Sequence, residues 1–206
     1  MRNVYVVAHA QSRHHIEKRV GGWYDTPLTA LGVEQAHRVG RLLAEAVSRD
    51  ALLFSSDLKR AAETAEIIGS HLGVAATLDV RLREMSYGEA EIRPIEWADA
   101  HMVPTPSDGN RLDHRIFPGA ETRRELATRV TAFLDSVPGL GATDAVVVTH
   151  GFALTFLVMA WLGVPVEHMG HCNLPSRPGG VTHLHEDDLF HNRGIRYLNR
   201  TDHLAP

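Results

Sequence analysis

Two short runs, residues 4–8 (VYVVA) and 145–149 (AVVVT), are apolar and largely β-branched on both alternations. A strand with one wet face alternates apolar with polar residues, so these runs predict strands covered on both faces, central in a mostly parallel sheet. Between them apolar residues recur at helical spacing: Ala36, Val39, Leu43 and Ala46; Ala61, Ala65, Ile68 and Leu72; Leu126, Val130, Phe133 and Val137. Each set predicts a helix with one buried stripe. Residues 51–54 and 77–80 predict further strands, and residues 152–162 a helix apolar nearly all round. Strands alternating with helices predict a three-layer α/β fold, a mostly parallel sheet flanked by helices.

Residues 84–119 break the pattern: they carry prolines and charges without a clean period, which predicts an inserted region of loops and short helices covering a site. The tail, GGVTHLHEDD and then IRYLN, predicts a closing pair of strands. No repeat or linker interrupts the chain, so residues 1–206 are expected to form a single domain.

Composition narrows the function. With 44% hydrophobic and 22% charged residues in 206, the chain can bury a sizeable core. A formal net charge of −4 without a basic run argues against nucleic acid and against a membrane surface, so an anionic ligand needs a local basic pocket. The opening MRNVYVVAH is too short an apolar run for a signal peptide, and the single cysteine, Cys172, suits a reducing cytoplasm.

Candidate chemistry gathers at strand ends. His9 follows the first strand and His150 the late one, so both emerge at carboxyl ends, where open α/β sheets bind ligands. One such histidine is most often a capping or core residue; two in equivalent positions point to a site. In SSDLKRAAETAEII, Ser56 or Asp57 is the expected N-cap, which puts Arg60 in the first turn of a helix, a setting that favours an anion. In LREMSYGEAE, Glu84 and Tyr87 stand at the start of the cover region.

Together these segments resemble the histidine phosphatase superfamily, its phosphoglycerate mutase-like branch, over essentially the whole chain. The most specific match is GGWYDTPLTALGVEQA at residues 21–36, followed in the family's order by SSDLKRAAETA, LREMSYGE and VVVTHG. The resemblance implies that His9 is the nucleophile that becomes phosphorylated, that Arg60 and His150 hold the phosphate, and that Glu84 protonates the leaving oxygen. It further implies a substrate pocket drawing on Ser12, His15, Arg19, Gly22, Tyr87 and Gly151. Each main role has its own physical reason. A neutral imidazole offers phosphorus a lone pair and splits one hard displacement into two easier ones. Phosphoryl charge needs preorganised donors, among which a protonated His150 is expected. An alkoxide needs an acid to leave as an alcohol.

The chain departs from the family in one respect. Where the signature reads arginine, histidine, glycine, this sequence reads Ala8, His9, Ala10. Alanine has neither donors nor charge, and loss of one such donor costs about 10²–10³ in rate. Arg19 or Arg13 refills the pocket, or the substrate is not a phosphate, or the arginine was removed by engineering. Only scattered Arg93, Arg111 and Arg115 occur in the cover, without the paired arginines with which mutases grip a second anionic group. The expected activity is therefore hydrolysis of a small phosphate monoester or similar small anion, without cofactor or metal. The alternatives are non-phosphoryl acid–base chemistry at the same residues and a catalytically silent anion binder.

Other features carry less. HMGHC at residues 168–172, and His183 with His185, lack a complete metal-ligand set. Cys172 has no evident base beside it, and Trp23, Trp97 and Trp161 are expected to pack, with Trp97 able to line a pocket.

Overall fold

The computed structural model describes residues 2–137 and 142–205. In chain order its main elements are β1 (Asn3–Ala8), α1 (Arg13–Ile16), α2 (Ala30–Ala46), β2 (Leu52–Ser55), α3 (Lys59–Leu72), β3 (Thr77–Leu78), α4 (Ile95–His101), α5 (Arg123–Ser136), β4 (Asp144–Thr149), α6 (Gly151–Trp161), β5 (Val181–Glu186) and β6 (Arg193–Arg200). The six strands form one mixed sheet in the order β3-β2-β4-β1-β5-β6. β1 to β4 run parallel, and the expected closing pair, β5 and β6, adds the antiparallel edge.

Alternation along the central strands builds the layers. Val4, Val6, Ala145 and Val147 pack with α5 and α6, while Tyr5, Val7, Val146 and Val148 pack with α2 and α3. Full burial of such a side chain contributes about 1.5–3 kcal/mol, so a sheet wet on either face would forfeit much of its stability. The predicted stripes are buried at Ala36, Val39 and Leu43, but Ala46, the last residue of α2, is exposed. Val137 lies just past the end of α5 and is buried all the same.

β3 keeps only two residues of the predicted 77–80. The Asp79 carboxylate accepts the Arg81 N–H at 2.8 Å and turns the chain into a 3-10 turn over Val80–Leu82. The 84–119 region holds a 3-10 turn at Gly88–Ala90 and α4. Among the described residues, no helix is long and apolar enough to cross a membrane.

Candidate active site

Ala8 of β1 pairs with Thr149 of β4, so the next residues, His9 and His150, leave the sheet side by side. Their rings meet edge-on with centroids 5.0 Å apart. His9 Nδ1 lies 2.8 Å from the Ala10 carbonyl. A carbonyl can only accept, so Nδ1 carries the proton and Nε2 keeps the lone pair. That lone pair accepts the Nε–H of Arg60 at 3.2 Å.

Arg60 sits in the first turn of α3 as the sequence predicts, but neither Ser56 nor Asp57 is the N-cap. Leu58 occupies that position without a side-chain bond, because its neighbours are engaged elsewhere. Ser56 Oγ lies 2.9 Å from His150 Nε2, and Asp57 pairs with Arg83 at 2.5 Å. Asp25, 34 residues upstream, accepts the Lys59 N–H at 2.6 Å instead. Arg60 is 1% exposed, and its remaining nitrogens donate to the Tyr24 carbonyl at 2.9 Å and the Gly22 carbonyl at 2.7 Å. The GGWYD stretch thus shapes the site through its backbone, with Gly22 at φ +54°. Desolvation lowers the Arg60 pKa to about 10, which leaves it charged at neutral pH.

Glu84 is held at the start of α6. Its carboxylate accepts the N–H groups of Met85 at 2.9 Å, Phe152 at 3.1 Å and Ala153 at 3.1 Å. Trp23 Nε1 and Arg129 both donate to the Glu84 carbonyl, which fixes the backbone behind that carboxylate. His9, His15, Arg19, Gly22, Arg60, Glu84, Tyr87 and Gly151 line one cavity of about 530 Å³, and Ala8 and Asp99 line it too. Ser12 and His150 are fully buried. Ser12 caps α1 and bonds His14, and His150 Nδ1 has no partner among the described residues.

The expected imidazolium charges are absent. Desolvation first, and the Arg60 guanidinium second, push the pKa values of His9 and His150 well below the ordinary 6.5. His14 falls to about 3 and His15 to about 4, again chiefly through desolvation. At neutral pH these rings are neutral, so neither His150 nor His15 adds positive charge. Arg19 reaches the cavity wall but donates to the Ile92 carbonyl at 2.7 Å, and Arg13 is not on that wall.

Among the described residues, potential metal ligands converge at His9, His14 and His15, whose nearest donor atoms lie within 4.8 Å of one another. Neither His168 with His171 nor His183 with His185 forms such a group. Two of its nitrogens are engaged, His14 Nδ1 with Ser12 Oγ at 2.9 Å and His15 Nδ1 accepting the Ser12 N–H at 3.1 Å, and Arg60 beside His9 opposes a further cation. Trp97 stacks on His101 with centroids 4.1 Å apart and does not line the cavity. Sequence reasoning missed Asp99 and Ser176 on the cavity lining and Asp25 at the start of α3, all placed by contacts between distant segments that no local pattern encodes.

Residues 4–192 match the family described as the histidine phosphatase superfamily (branch 1). Over 175 residues the chain is 35% identical to the "Probable phosphoglycerate mutase GpmB" of Yersinia pestis (strain Pestoides F), covering 81% of this chain and 78% of that protein. The protein of the same name from Salmonella paratyphi C (strain RKS4594) is 37% identical over 174 residues, covering 80% and 77%. Among solved structures, the mycobacterial glucosyl-3-phosphoglycerate phosphatase complexed with VO3 superposes with a TM-score of 0.79 at 26% identity, covering 97% of this chain and 99% of that one. The alpha-ribazole phosphatase from Shigella flexneri gives 0.78 at 26% identity, covering 96% of each chain.

Proposed function

Because this chain belongs to the histidine phosphatase superfamily, we propose that it hydrolyses a small phosphate monoester through a phosphohistidine at His9. The observation that carries this reading is the His9 tautomer: with Nδ1–H tied to Ala10, the lone pair is on Nε2, beside Arg60, in a ring that lines the cavity. In the first step Nε2 bonds phosphorus as the bond to the alcohol oxygen breaks, and Glu84 delivers a proton to that oxygen. Arg60 turns its Nε–H from Nε2 to the phosphoryl oxygens, where fixed donors stabilise developing charge. In the second step water attacks phosphorus, Glu84 takes its proton, the N–P bond breaks, and His9 returns to its neutral form.

Hydrolysis is favoured over mutase chemistry by the arginines of the cover. Arg111 and Arg123 both donate to the Gly170 carbonyl and do not line the cavity, so they do not form a second anion grip. Ala8, with the Arg60 fork engaged on two carbonyls, supports a second reading, a silent anion binder. The deciding experiment is an alkaline-detergent quench of the protein turning over a ³²P-labelled monoester, which traps the phosphoenzyme. Base-stable, acid-labile label on the protein and none on His9→Ala supports the reading, whereas turnover that survives His9→Ala sinks it. Stabilisation by vanadate without turnover favours the binder.

A further inference from the structure

The two ends of the cavity differ in chemistry. The inner end holds His9, Arg60 and Glu84. The outer end is walled by α4 and the segment that returns beneath it, with Ile95, Ala98, Asp99 and Met102 facing Ile116 and Phe117. Positions 95, 98, 99 and 102 follow the i, i+3, i+4, i+7 spacing of a single helix face, the stripe that normally buries apolar side chains. Here the stripe is turned to the cavity: Ile95 is 46% and Met102 45% exposed. Asp99 interrupts it with a charge. Among the described residues its carboxylate has no hydrogen bond or ion pair, and Arg19, which with Arg60 supplies the arginines of the cavity lining, is engaged with Ile92 and Glu17.

We propose that this outer end is a leaving-group subsite that selects an alcohol apolar along its length and cationic or hydrogen-bond donating at its far end, and that Asp99 reads that end. The proposal rests on the phosphohydrolase reading above for the word leaving-group, while the subsite itself is a matter of binding. An apolar wall gains by excluding water from a hydrocarbon or aryl body. A lone carboxylate in a partly enclosed cleft attracts a cation and repels a second acid, so a phosphorylated carboxylic acid or a bisphosphate is disfavoured.

Three esters of one shape test this: phenyl phosphate, 4-carboxyphenyl phosphate and 4-(aminomethyl)phenyl phosphate. Phosphate release at low salt is expected to rank aminomethyl above phenyl above carboxy in kcat/KM, by about two- to tenfold per step, and the spread should shrink as salt rises. Asp99 is exposed, so Asp99→Asn and Asp99→Lys leave the core untouched. The spread should narrow in the first and invert in the second, a comparison that cancels the electronic differences among the leaving groups. A wild-type ranking that persists in Asp99→Lys, or equal efficiency for all three esters, overturns the subsite. Thermal shifts with the same esters separate the two claims. Ranked binding without turnover defeats the phosphohydrolase and keeps the subsite, turnover without ranking does the reverse, and neither binding nor turnover overturns both.

Discussion

The Nε–H of Arg60 donates to Nε2 of His9 across 3.2 Å, so the anion-binding cation and the nucleophile are hydrogen-bonded to each other. Both other arms of Arg60 hold main-chain carbonyls. An incoming phosphate must therefore draw donors away from bonds already made, and Ala8 offers nothing in their place.

Restoring a free fork should relieve that competition. Ala8 lines the cavity directly before His9, and Ala8→Arg is expected to raise kcat/KM for a monoester by about 10²–10³. Steady-state phosphate release from both proteins at matched folding measures it; equal activity would mean that the pocket already has enough positive charge.

Glu84→Gln keeps a carbonyl oxygen to accept the Met85 and Ala153 N–H groups but cannot carry a transferable proton. Turnover of an alkyl phosphate should fall by about 10²–10⁴, and that of p-nitrophenyl phosphate, whose leaving group needs little protonation, by much less. Equal losses on the two substrates would remove Glu84 from the acid role.

How much of this was written locally in the sequence differs from residue to residue. His9 and His150 were legible because two doubly apolar runs fix two parallel strands, and each histidine is the first residue past one. Arg60 was legible from helix phase, although the capping residue was not, since Ser56 and Asp57 are drawn off by His150 and Arg83, which lie far along the chain. The low pKa of His150 was not legible because burial, its main cause, is set by the whole fold. No local pattern marks Asp99, which lines the cavity only through the way α4 packs over it.

The same burial makes stability pH-dependent. His9 and His150 titrate well below 6.5, His14 near 3 and His15 near 4. As pH falls from about 6.5 toward 4, the unfolded chain takes up protons at these rings and the native chain does not, so stability drops with acidification. A ring held neutral through that interval contributes a slope of about 1.4 kcal/mol per pH unit. The urea midpoint should therefore fall steadily between pH 7 and 4.5, less steeply in His14→Gln; a flat midpoint would mean that these rings titrate as in the unfolded chain.

Gly32 inverts a general rule. Glycine to alanine within a helix usually stabilises by about 1 kcal/mol, yet a Cβ at Gly32 would lie 2.0 Å from the Gln11 carbonyl oxygen. Gly32→Ala is expected to lower stability by about 1–3 kcal/mol as α2 is forced off the His9 loop. Thermal unfolding reads the sign directly, and a raised Tm would contradict this packing.

The contact that sets the reactive face of His9 comes from the carbonyl of the very next residue. Side-chain orienters can be deleted by a single codon change; this one belongs to the main chain and survives every substitution at position 10. The chain can therefore drift at Ala8, Ala10 and the surrounding donors, and its chemistry can weaken or change substrate, while the direction in which the imidazole presents its lone pair is inherited unchanged with the path of the backbone.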